Sequence, residues 1–245
     1  MIIAGHRGAM AHHPENSLES FAAAEAAGAD EIELDVRRTR DGVLIVLHDA
    51  TLDRVALDSS GHGMPPVAEL TYDEVSAIML DSGRPVLTLE EAYRATKITL
   101  QVELKDPGCV EALAAFFDDH PDRAARTIFT SFHADALERA KELIPGIPRG
   151  IIVFGHPSAE EYPEGIPALL RRTGSDIFHC GWPGLTREVV DAMHADGHPV
   201  RGWPMRDRED LERAIALGID GTTSDDPALA RSWYEELTGV GHGRR

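Results

Sequence analysis

The chain is short of cysteine, of long apolar runs and of positive charge. Its 245 residues include two cysteines, Cys109 and Cys180, which are far apart and lack metal-ligand spacing. Neither a disulfide framework nor a structural zinc site is therefore expected. No run approaches the roughly 18 apolar residues that a membrane span needs. We expect two reduced thiols and no stable membrane association.

Acidic residues outnumber basic ones by 42 to 24, and the formal net charge is −18 at pH 7. Such a field repels polyanions, which argues against nucleic acid and anionic membrane surfaces as partners. The amino terminus reads as a short apolar strand, without the basic region and long apolar stretch of a secretory signal. These features predict a cytoplasmic protein that does not bind nucleic acid.

The remaining pattern alternates short β-rich runs with stretches of helical length, which is typical of βα units around a parallel sheet. The length matches one (β/α)8 TIM barrel, so we predict a single α/β barrel domain over residues 1–245. Asn16 with Glu19 resembles a capping box and predicts the start of the first helix. Eight strands are expected: Ile2–Gly5, Glu31–Val36, Ile98–Leu104, Thr127–Ser131, Gly150–Phe154, Asp176–His179, Pro199–Trp203 and Ile219–Thr222.

Two features interrupt the alternation. The dipeptide Asp41-Gly42 lies between β-patterned runs and predicts a hairpin with a two-residue loop. The segment of about 51–85 follows without completing a βα unit and contains a helical pattern from Tyr72 to Leu80. We interpret it as a small insertion near the barrel mouth, after the second strand and its hairpin. The tail from Gly239 to Arg245 is expected to be disordered.

The hairpin predicts which side chains meet. A two-residue loop places His48 directly opposite Asp35 on the neighbouring strand. Because side chains alternate along a strand, Glu33 and Asp35 share a face, whereas Leu34 points away. This face joins two carboxylates to an imidazole. The same pattern also fits the solvated face of an exposed hairpin.

A second strand supplies a third carboxylate, because Glu103 and Lys105 share a polar face near its carboxyl end. Active sites of barrels assemble at the carboxyl ends of strands. Three converging carboxylates repel one another unless a cation neutralises them, and an all-oxygen ligand set suits Mg²⁺, Ca²⁺ or Mn²⁺ better than zinc. We predict that Glu33, Asp35 and Glu103 bind one such cation. For Glu103, the alternative is an ordinary ion pair with the neighbouring lysine.

The first strand ends in His6-Arg7-Gly8, a combination that suits an anionic phosphate beside a metal. It opens an ordered series of motifs. The series comprises His-Arg-Gly at 6–8, Pro-Glu-Asn at 14–16, Gly-Ala-Asp-x-Ile-Glu-Leu-Asp-Val at 28–36, Thr-x-Asp-Gly at 39–42, His-Asp at 48–49, Thr-Leu-Asp-Arg at 51–54, Glu-Leu-Lys at 103–105, Ser-Phe at 131–132, Trp203, Asp-Gly at 220–221 and Ser-Asp-Asp-Pro at 224–227. Together they resemble the glycerophosphodiester phosphodiesterase family, and the likeness covers nearly the whole chain.

The resemblance implies a fold, a reaction and a role for each matching residue. The implied fold is a (β/α) barrel with a small insertion after the second strand. The implied reaction is metal-dependent hydrolysis of a small glycerophosphodiester to glycerol 3-phosphate and an alcohol, through a cyclic phosphate. The cofactor would be one divalent cation, Mg²⁺ or Ca²⁺, with Mn²⁺ also compatible. The implied roles are acid/base catalysis for His6 and His48, metal binding for Glu33, Asp35 and Glu103, phosphate binding for Arg7 and Lys105, and support for Glu15, Asn16, Ser131 and Trp203.

Three other functions fit parts of the sequence. An enzyme acting on lysophospholipids or sphingolipids, like related lipases of the D type, would use the same site but needs a long apolar groove, which the compact insertion disfavours. A metallohydrolase of the amidohydrolase type needs several histidine zinc ligands, including a His-x-His after the first strand, and this sequence lacks that motif. A binding module without activity is disfavoured because the implied catalytic residues are complete. Pro204-Met205-Arg206 stands where the family usually has Thr-Val-Asn, so the resemblance does not specify the leaving alcohol. His179, at the end of the sixth predicted strand, is a further candidate pocket residue.

Overall fold

A computed structural model of the chain describes residues 1–155 and 165–240. In these ranges the strands are β1 (Ile2–Gly5), β2 (Glu31–Arg38), β3 (Leu44–Val46), β4 (Thr99–Leu104), β5 (Thr127–Ser131), β6 (Arg149–Val153), β7 (Ile177–Gly181), β8 (Val200–Met205) and β9 (Gly221–Ser224). All except β3 pair in parallel in the order β1-β2-β4-β5-β6-β7-β8-β9, and β9 pairs back onto β1. The predicted (β/α)8 barrel is confirmed. The end of the tail, from 241 to 245, lies outside the described residues.

Helices surround the barrel and complete its apolar core. They are α1 (Leu18–Ala26), α2 (Tyr72–Ser76), α3 (Leu89–Ala95), α4 (Val110–Asp119), α5 (Pro121–Ala124), α6 (Ala134–Leu143), α7 (Ile166–Thr173), α8 (Arg187–Ala195), α9 (Arg208–Leu217) and α10 (Pro227–Thr238). Phe21 of α1 and Leu137 of α6 are fully buried in one apolar cluster with strand residues such as Ile32 and Phe129. No helix in the described ranges is long and apolar enough to cross a membrane.

The two faces of β2 differ as the alternation predicts. Leu34 belongs to the apolar core outside the barrel, whereas Glu33 and Asp35 point inward. The register between β2 and β4 aligns Asp35 with Glu103 and Glu33 with Gln101. Because both strands run in the same direction, their carboxylates meet at the carboxyl end of the barrel.

A buried ion pair crosses the barrel interior closer to the amino-terminal ends of the strands. Arg201 of β8 donates from Nη2 to Oε1 of Glu31 at 3.0 Å and from Nη1 to Oε1 of Gln101 at 3.2 Å. Arg201 is 8% exposed and Glu31 5%. Burial of a charge is costly unless it is paired and hydrogen-bonded, and here each charge has the other as its partner. This pair fills the barrel interior below the carboxylates of β2 and β4, on the amino-terminal side, and forms a floor there.

The hairpin register is off by one residue from the prediction. Val36 pairs with Val46, and the backbone N–H of Thr39 donates to the carbonyl of Val43 at 3.0 Å, so the loop holds three residues rather than two. Its last residue, Gly42, has φ +92°, as in a type I turn followed by a left-handed glycine bulge. His48 is therefore not directly opposite Asp35 in the ladder, and the prediction of that pairing is wrong.

One residue of β3 and the segment that follows this strand build a small apolar cluster of their own. Its buried members are Ile45, Leu47, Leu52, Val55, Val67, Leu70, Val75, Ile78 and Val86. The predicted helix from Tyr72 to Leu80 is shorter, because α2 ends at Ser76 and Leu80 instead forms an antiparallel bridge with Ala56. The insertion predicted after the second strand and its hairpin is confirmed as a compact unit.

The start of α1 also differs from the prediction. Its N-cap is Ser17, whose hydroxyl accepts from the backbone N–H of Ser20, and the Ser20 hydroxyl in turn accepts from the N–H of Ser17. Asn16 lies one residue earlier at φ +54°, a left-handed conformation that asparagine tolerates better than most residues. The Asn16–Glu19 capping box is therefore wrong, and the Asn16 amide is free to contact the barrel interior.

Candidate active site

Three carboxylates converge at the carboxyl ends of β2 and β4. Glu33, Asp35 and Glu103 are 4%, 0% and 8% exposed. Each offers one oxygen atom, and these oxygens all lie within 4.8 Å of one another. Oδ1 of Asp35 is buried and accepts no well-oriented hydrogen bond from the described residues. A buried anionic oxygen that accepts no hydrogen bond, beside two further carboxylates, fits a hard divalent cation.

Mutual repulsion and burial perturb the ionisation of all three groups. Burial, followed by the charge of Asp35, raises the pKa of Glu33 to about 8. The same two causes raise the pKa of Glu103. Burial also opposes ionisation of Asp35, but Lys105 and Arg7 outweigh it and hold the Asp35 pKa below its ordinary value. Glu33 and Glu103 therefore resist ionisation in the protein alone, and a bound cation would favour their charged forms.

Two basic side chains border the carboxylates. Lys105 Nζ lies 2.8 Å from Glu103 Oε1 and 3.3 Å from Asp35 Oδ1. Arg7 has φ +49°, its backbone N–H donates to Glu33 at 2.9 Å, and its Nε lies 3.3 Å from Asp35. Both bases line the same cavity, so an anion entering it meets two fixed positive charges.

The loop before α1 braces this edge of the site. The Asn16 amide donates to Asp35 Oδ2 at 2.9 Å. Glu15 accepts from Arg7 at 3.0 Å and from both terminal nitrogens of Arg54 at 2.7 Å. Glu15 thus joins the first barrel loop to Arg54 of the insertion, and both predicted supporting residues contact the predicted site.

His6 is held by a carboxylate from the far end of the chain. Its Nδ1 lies 2.6 Å from Oδ1 of Asp225, which follows β9, and its Nε2 lies 4.0 Å from Glu33. Because β9 pairs with β1, two segments that are distant in sequence end side by side. Burial lowers the pKa of His6, but Asp225 and Glu33 outweigh it, so the pKa is raised.

His48 has a matching arrangement, with a carboxylate against Nδ1 of its ring. Its Nδ1 lies 2.6 Å from Oδ1 of Asp49, and Asp49 is held in turn by Arg54 at 2.6 Å. The carbonyl of His48 accepts from two nitrogens of Arg37 at 2.8 and 2.9 Å, which fixes the backbone. Burial lowers the pKa of His48 in spite of Asp35 and Asp49. The two imidazoles therefore differ in their affinity for a proton, as an acid/base pair requires.

One cavity of about 140 Å³ joins these groups. Its polar side is formed by His6, Arg7, Glu33, His48, Glu103 and Lys105, and its opposite side by Phe132, Ile152, Phe154, His179, Trp203 and Thr223. The rings of Phe132, Phe154 and Trp203 contact one another with centroids 4.7 to 5.2 Å apart. Phe154 is 65% exposed and forms part of the rim. The cavity thus has a charged wall, an aromatic wall and an open mouth.

Most of the predicted site residues line this cavity, whereas Asp35, Glu15, Asn16 and Ser131 do not. Asp35 belongs to the carboxylate cluster, and Glu15 and Asn16 contact Arg7 and Asp35 behind the cavity wall. Ser131 is not among the lining residues, because its hydroxyl donates to the carbonyl of Leu104 at 2.6 Å and ties β5 to the end of β4. Trp203 and His179 do line the cavity. Asp49 and Asp225 were missed as partners of the histidines, although both stand inside motifs that marked them, next to His48 and before Pro227.

Comparisons with known proteins point to one family. A model of the glycerophosphoryl diester phosphodiesterase family matches residues 6–229. The chain is 30% identical to a glycerophosphodiester phosphodiesterase of Bacillus altitudinis, over 96% of this chain and 98% of the relative. It is 28% identical to one of Caldanaerobacter subterraneus subsp. tengcongensis, over 92% and 94%.

Solved structures share the whole fold. A structure from Silicibacter pomeroyi, described as a glycerophosphoryl diester phosphodiesterase, matches with a TM-score of 0.86 at 27% identity, covering 99% of this chain and 95% of that one. An Oleispira antarctica phosphodiesterase, solved with the product sn-glycerol-3-phosphate, has a TM-score of 0.83 at 24% identity, covering 96% and 97%. The resemblance found in the motifs is confirmed, and the chain belongs to the glycerophosphoryl diester phosphodiesterase family.

Proposed function

We propose that the chain hydrolyses small glycerophosphodiesters to glycerol 3-phosphate and an alcohol such as choline or ethanolamine. The observation that carries the proposal is one cavity lined by two bases, two imidazoles and two members of a buried cluster of three carboxylates, with a further carboxylate against each imidazole. The product bound to the Oleispira antarctica enzyme, sn-glycerol-3-phosphate, supports the choice of substrate.

A divalent cation is part of the proposal, with Mg²⁺ or Ca²⁺ as the first candidates and Mn²⁺ also compatible. Glu33, Asp35 and Glu103 would hold it, since their oxygens lie within 4.8 Å of one another and Asp35 Oδ1 accepts no hydrogen bond from the described residues. Bound there, the cation would neutralise negative charge and make a coordinated hydroxyl more acidic. Carboxylate ligands without imidazole or thiolate match these hard cations.

The protein's own side chains would bind the phosphate and transfer the protons. Arg7 and Lys105 bind the phosphate, and their charges offset the negative charge that grows on it. One of His6 and His48 removes the proton from the hydroxyl next to the phosphoester, and the other protonates the departing alcohol, each step worth roughly 10² to 10⁴ in rate. Asp225 and Asp49 each contact Nδ1 of one imidazole and fix that ring, which leaves the Nε2 atoms of His6 and His48 for proton transfer.

The hydroxyl on the carbon next to the phosphoester is the proposed nucleophile. Its attack on phosphorus expels the alcohol and forms a cyclic phosphate, which water then opens to glycerol 3-phosphate. An internal nucleophile held in place has a large effective concentration that an external water lacks. Charged groups on one wall and apolar rings on the other can hold the diester in that orientation.

The decisive experiment is turnover of glycerophosphocholine by purified protein, with and without chelator and added Mg²⁺ or Ca²⁺. Chelation should abolish choline release, and Glu33→Gln, Asp35→Asn and Glu103→Gln should each weaken metal binding measured by calorimetry. A substrate with hydrogen in place of the 2-hydroxyl should be bound but cleaved far more slowly. Full activity without metal would refute the cation, and equal rates for the two substrates would refute the cyclic phosphate.

Lysophospholipids remain a second candidate substrate, because the exposed ring of Phe154 continues an aromatic wall to the mouth of the cavity. Against this, the cavity of about 140 Å³ is smaller than the ~300–1,000 Å³ typical of pockets for larger ligands. We therefore favour small diesters. The comparison of kcat/KM for glycerophosphocholine and lysophosphatidylcholine decides, and a higher value for the lipid would overturn this choice.

A further inference from the structure

His179 is a buried polar group that the proposed reaction does not use. It is the third residue of β7, it is 1% exposed, and it lines the cavity that holds the carboxylates. Its Nε2 is buried and has no hydrogen-bond partner among the described residues. A buried polar atom without a partner is unfavourable, so a ligand in the cavity that bonds to this ring would offset that cost.

The barrel makes room for this ring and holds it in place. Gly150 of the adjacent strand β6 lies under the imidazole, and a Cβ there would be 2.7 Å from both Cδ2 and Nε2 of His179. On the other side, Arg201 of β8 pairs with His179 in register and is bound to the floor carboxylate of Glu31. Burial and the nearby Arg201 both hold the pKa of His179 well below its ordinary value. The ring is thus a neutral hydrogen-bonding group.

Its position relative to the carboxylates defines what it can reach. In the closed order of eight strands, β7 is four places from β2 in either direction, so His179 lies across the barrel from Glu33 and Asp35. A diester whose phosphate lies between the carboxylates and the bases extends one arm towards this wall. The leaving alcohol, which varies in size, needs the open mouth at Phe154, whereas the three-carbon glycerol fits the enclosed side.

We propose that His179 hydrogen-bonds the terminal hydroxyl of the glycerol moiety, the one that takes no part in the attack, and so selects glycerol diesters over deoxy analogues. This inference rests on the proposed function and assigns a specificity-determining residue to it. Ile152, paired with His179 on β6 and lining the same wall, would cover the glycerol carbons without supplying a polar atom.

The test compares two substrates and three variants. Glycerophosphocholine carries both hydroxyls, whereas 2-hydroxypropyl phosphocholine keeps the attacking hydroxyl and lacks the terminal one. For the unmodified protein, we expect kcat/KM to be roughly 10- to 100-fold lower for the analogue, as for one lost hydrogen bond to a buried group. In His179→Leu the two values should come within about threefold, while His179→Gln, which still has a donor and an acceptor, should restore part of the difference.

Ile152→Val is the matched control, because it changes packing beside His179 without removing a polar atom. It should keep the discrimination of the unmodified protein, whatever its overall rate. Thermal unfolding of each variant checks folding, and if His179→Leu does not fold, the comparison with His179→Gln stands alone. Equal cleavage of both substrates by the unmodified protein, or undiminished discrimination in the His179 variants, overturns the inference. Absence of choline release from either substrate overturns the proposed function itself, and the inference with it.

Discussion

His6 and His48 both reach the cavity with Nδ1 already occupied by a carboxylate. Asp225 contacts His6 at 2.6 Å and Asp49 contacts His48 at the same distance. A carboxylate in this position fixes the tautomer and the orientation of the ring, so that the other nitrogen faces the substrate. Under the proposed function, the two carboxylates would act on the reaction through the rings that they hold.

A first prediction distinguishes the role of the His6 ring from that of the Asp225 carboxylate that fixes it. His6→Ala should lower kcat by roughly 100-fold or more, because it removes a proton-transfer group. Asp225→Asn keeps the ring and should cost less. Burial lowers the pKa of His6 and Asp225 raises it, so removing the charge of Asp225 should move the corresponding limb of the kcat/KM profile to lower pH.

The measurement is kcat/KM as a function of pH for both variants and for Asp226→Asn. Asp226 caps α10 and contacts exposed His12 at 2.7 Å, and asparagine caps a helix as well as aspartate does. Asp226→Asn should therefore leave the profile in place. A profile for Asp225→Asn that coincides with that of the unmodified protein would contradict the assigned role.

At the scale of elements, the strand faces were predictable and the turns were not. Alternation along β2 and β4 follows from the two-residue period of any strand, so the meeting of Asp35 with Glu103 could be inferred before the fold was known. The Asp41-Gly42 signal fits both a two-residue and a three-residue loop, and only the bond between Thr39 and Val43 distinguishes them. The contact between His6 and Asp225, 219 residues apart, depends on barrel closure, which no local pattern contains.

A second prediction concerns the hairpin that precedes His48. Gly42→Ala adds a methyl group that meets nothing within 4 Å, but Gly42 has φ +92°. The expected cost is therefore backbone strain of about 1 kcal/mol in the free energy of unfolding. Gly146→Ala is the control, since the added methyl is equally unobstructed and the backbone is not left-handed. Urea unfolding of both variants measures the difference, and equal stability would show that the loop does not need a glycine.

At the scale of the whole molecule, the closed barrel encloses charged and polar groups that couple its stability to pH. Burial and Arg201 hold the pKa of His179 well below its ordinary value of 6.5, so the folded chain keeps this ring neutral. The unfolded chain binds a proton there as the pH falls below 6.5. The unfolded state then binds more protons than the folded state, and the free energy of unfolding decreases with falling pH. Above 6.5 the ring is neutral in both states and contributes no slope.

A third prediction follows from this sign. His179→Gln should reduce the loss of stability between about pH 6.5 and about pH 5, by at most about 1.4 kcal/mol per pH unit. Urea unfolding at several pH values measures the slope. The difference in the free energy of unfolding at about pH 7.5 gives the packing cost of the substitution separately. The same slope in both proteins would mean that the folded chain protonates His179 as readily as the unfolded chain does.

The ion pair between Arg201 and Glu31 fills the barrel interior towards the amino-terminal ends of the strands, and this bears on the order of product release. Among the described residues, the rim of the cavity includes exposed Phe154. In the proposed orientation, with the glycerol innermost, the alcohol would stand nearer that rim and would be released first. Glycerol 3-phosphate would follow, and a new diester could bind only after it has gone. A barrel interior filled by charged groups at one end would thus order the release of the two products.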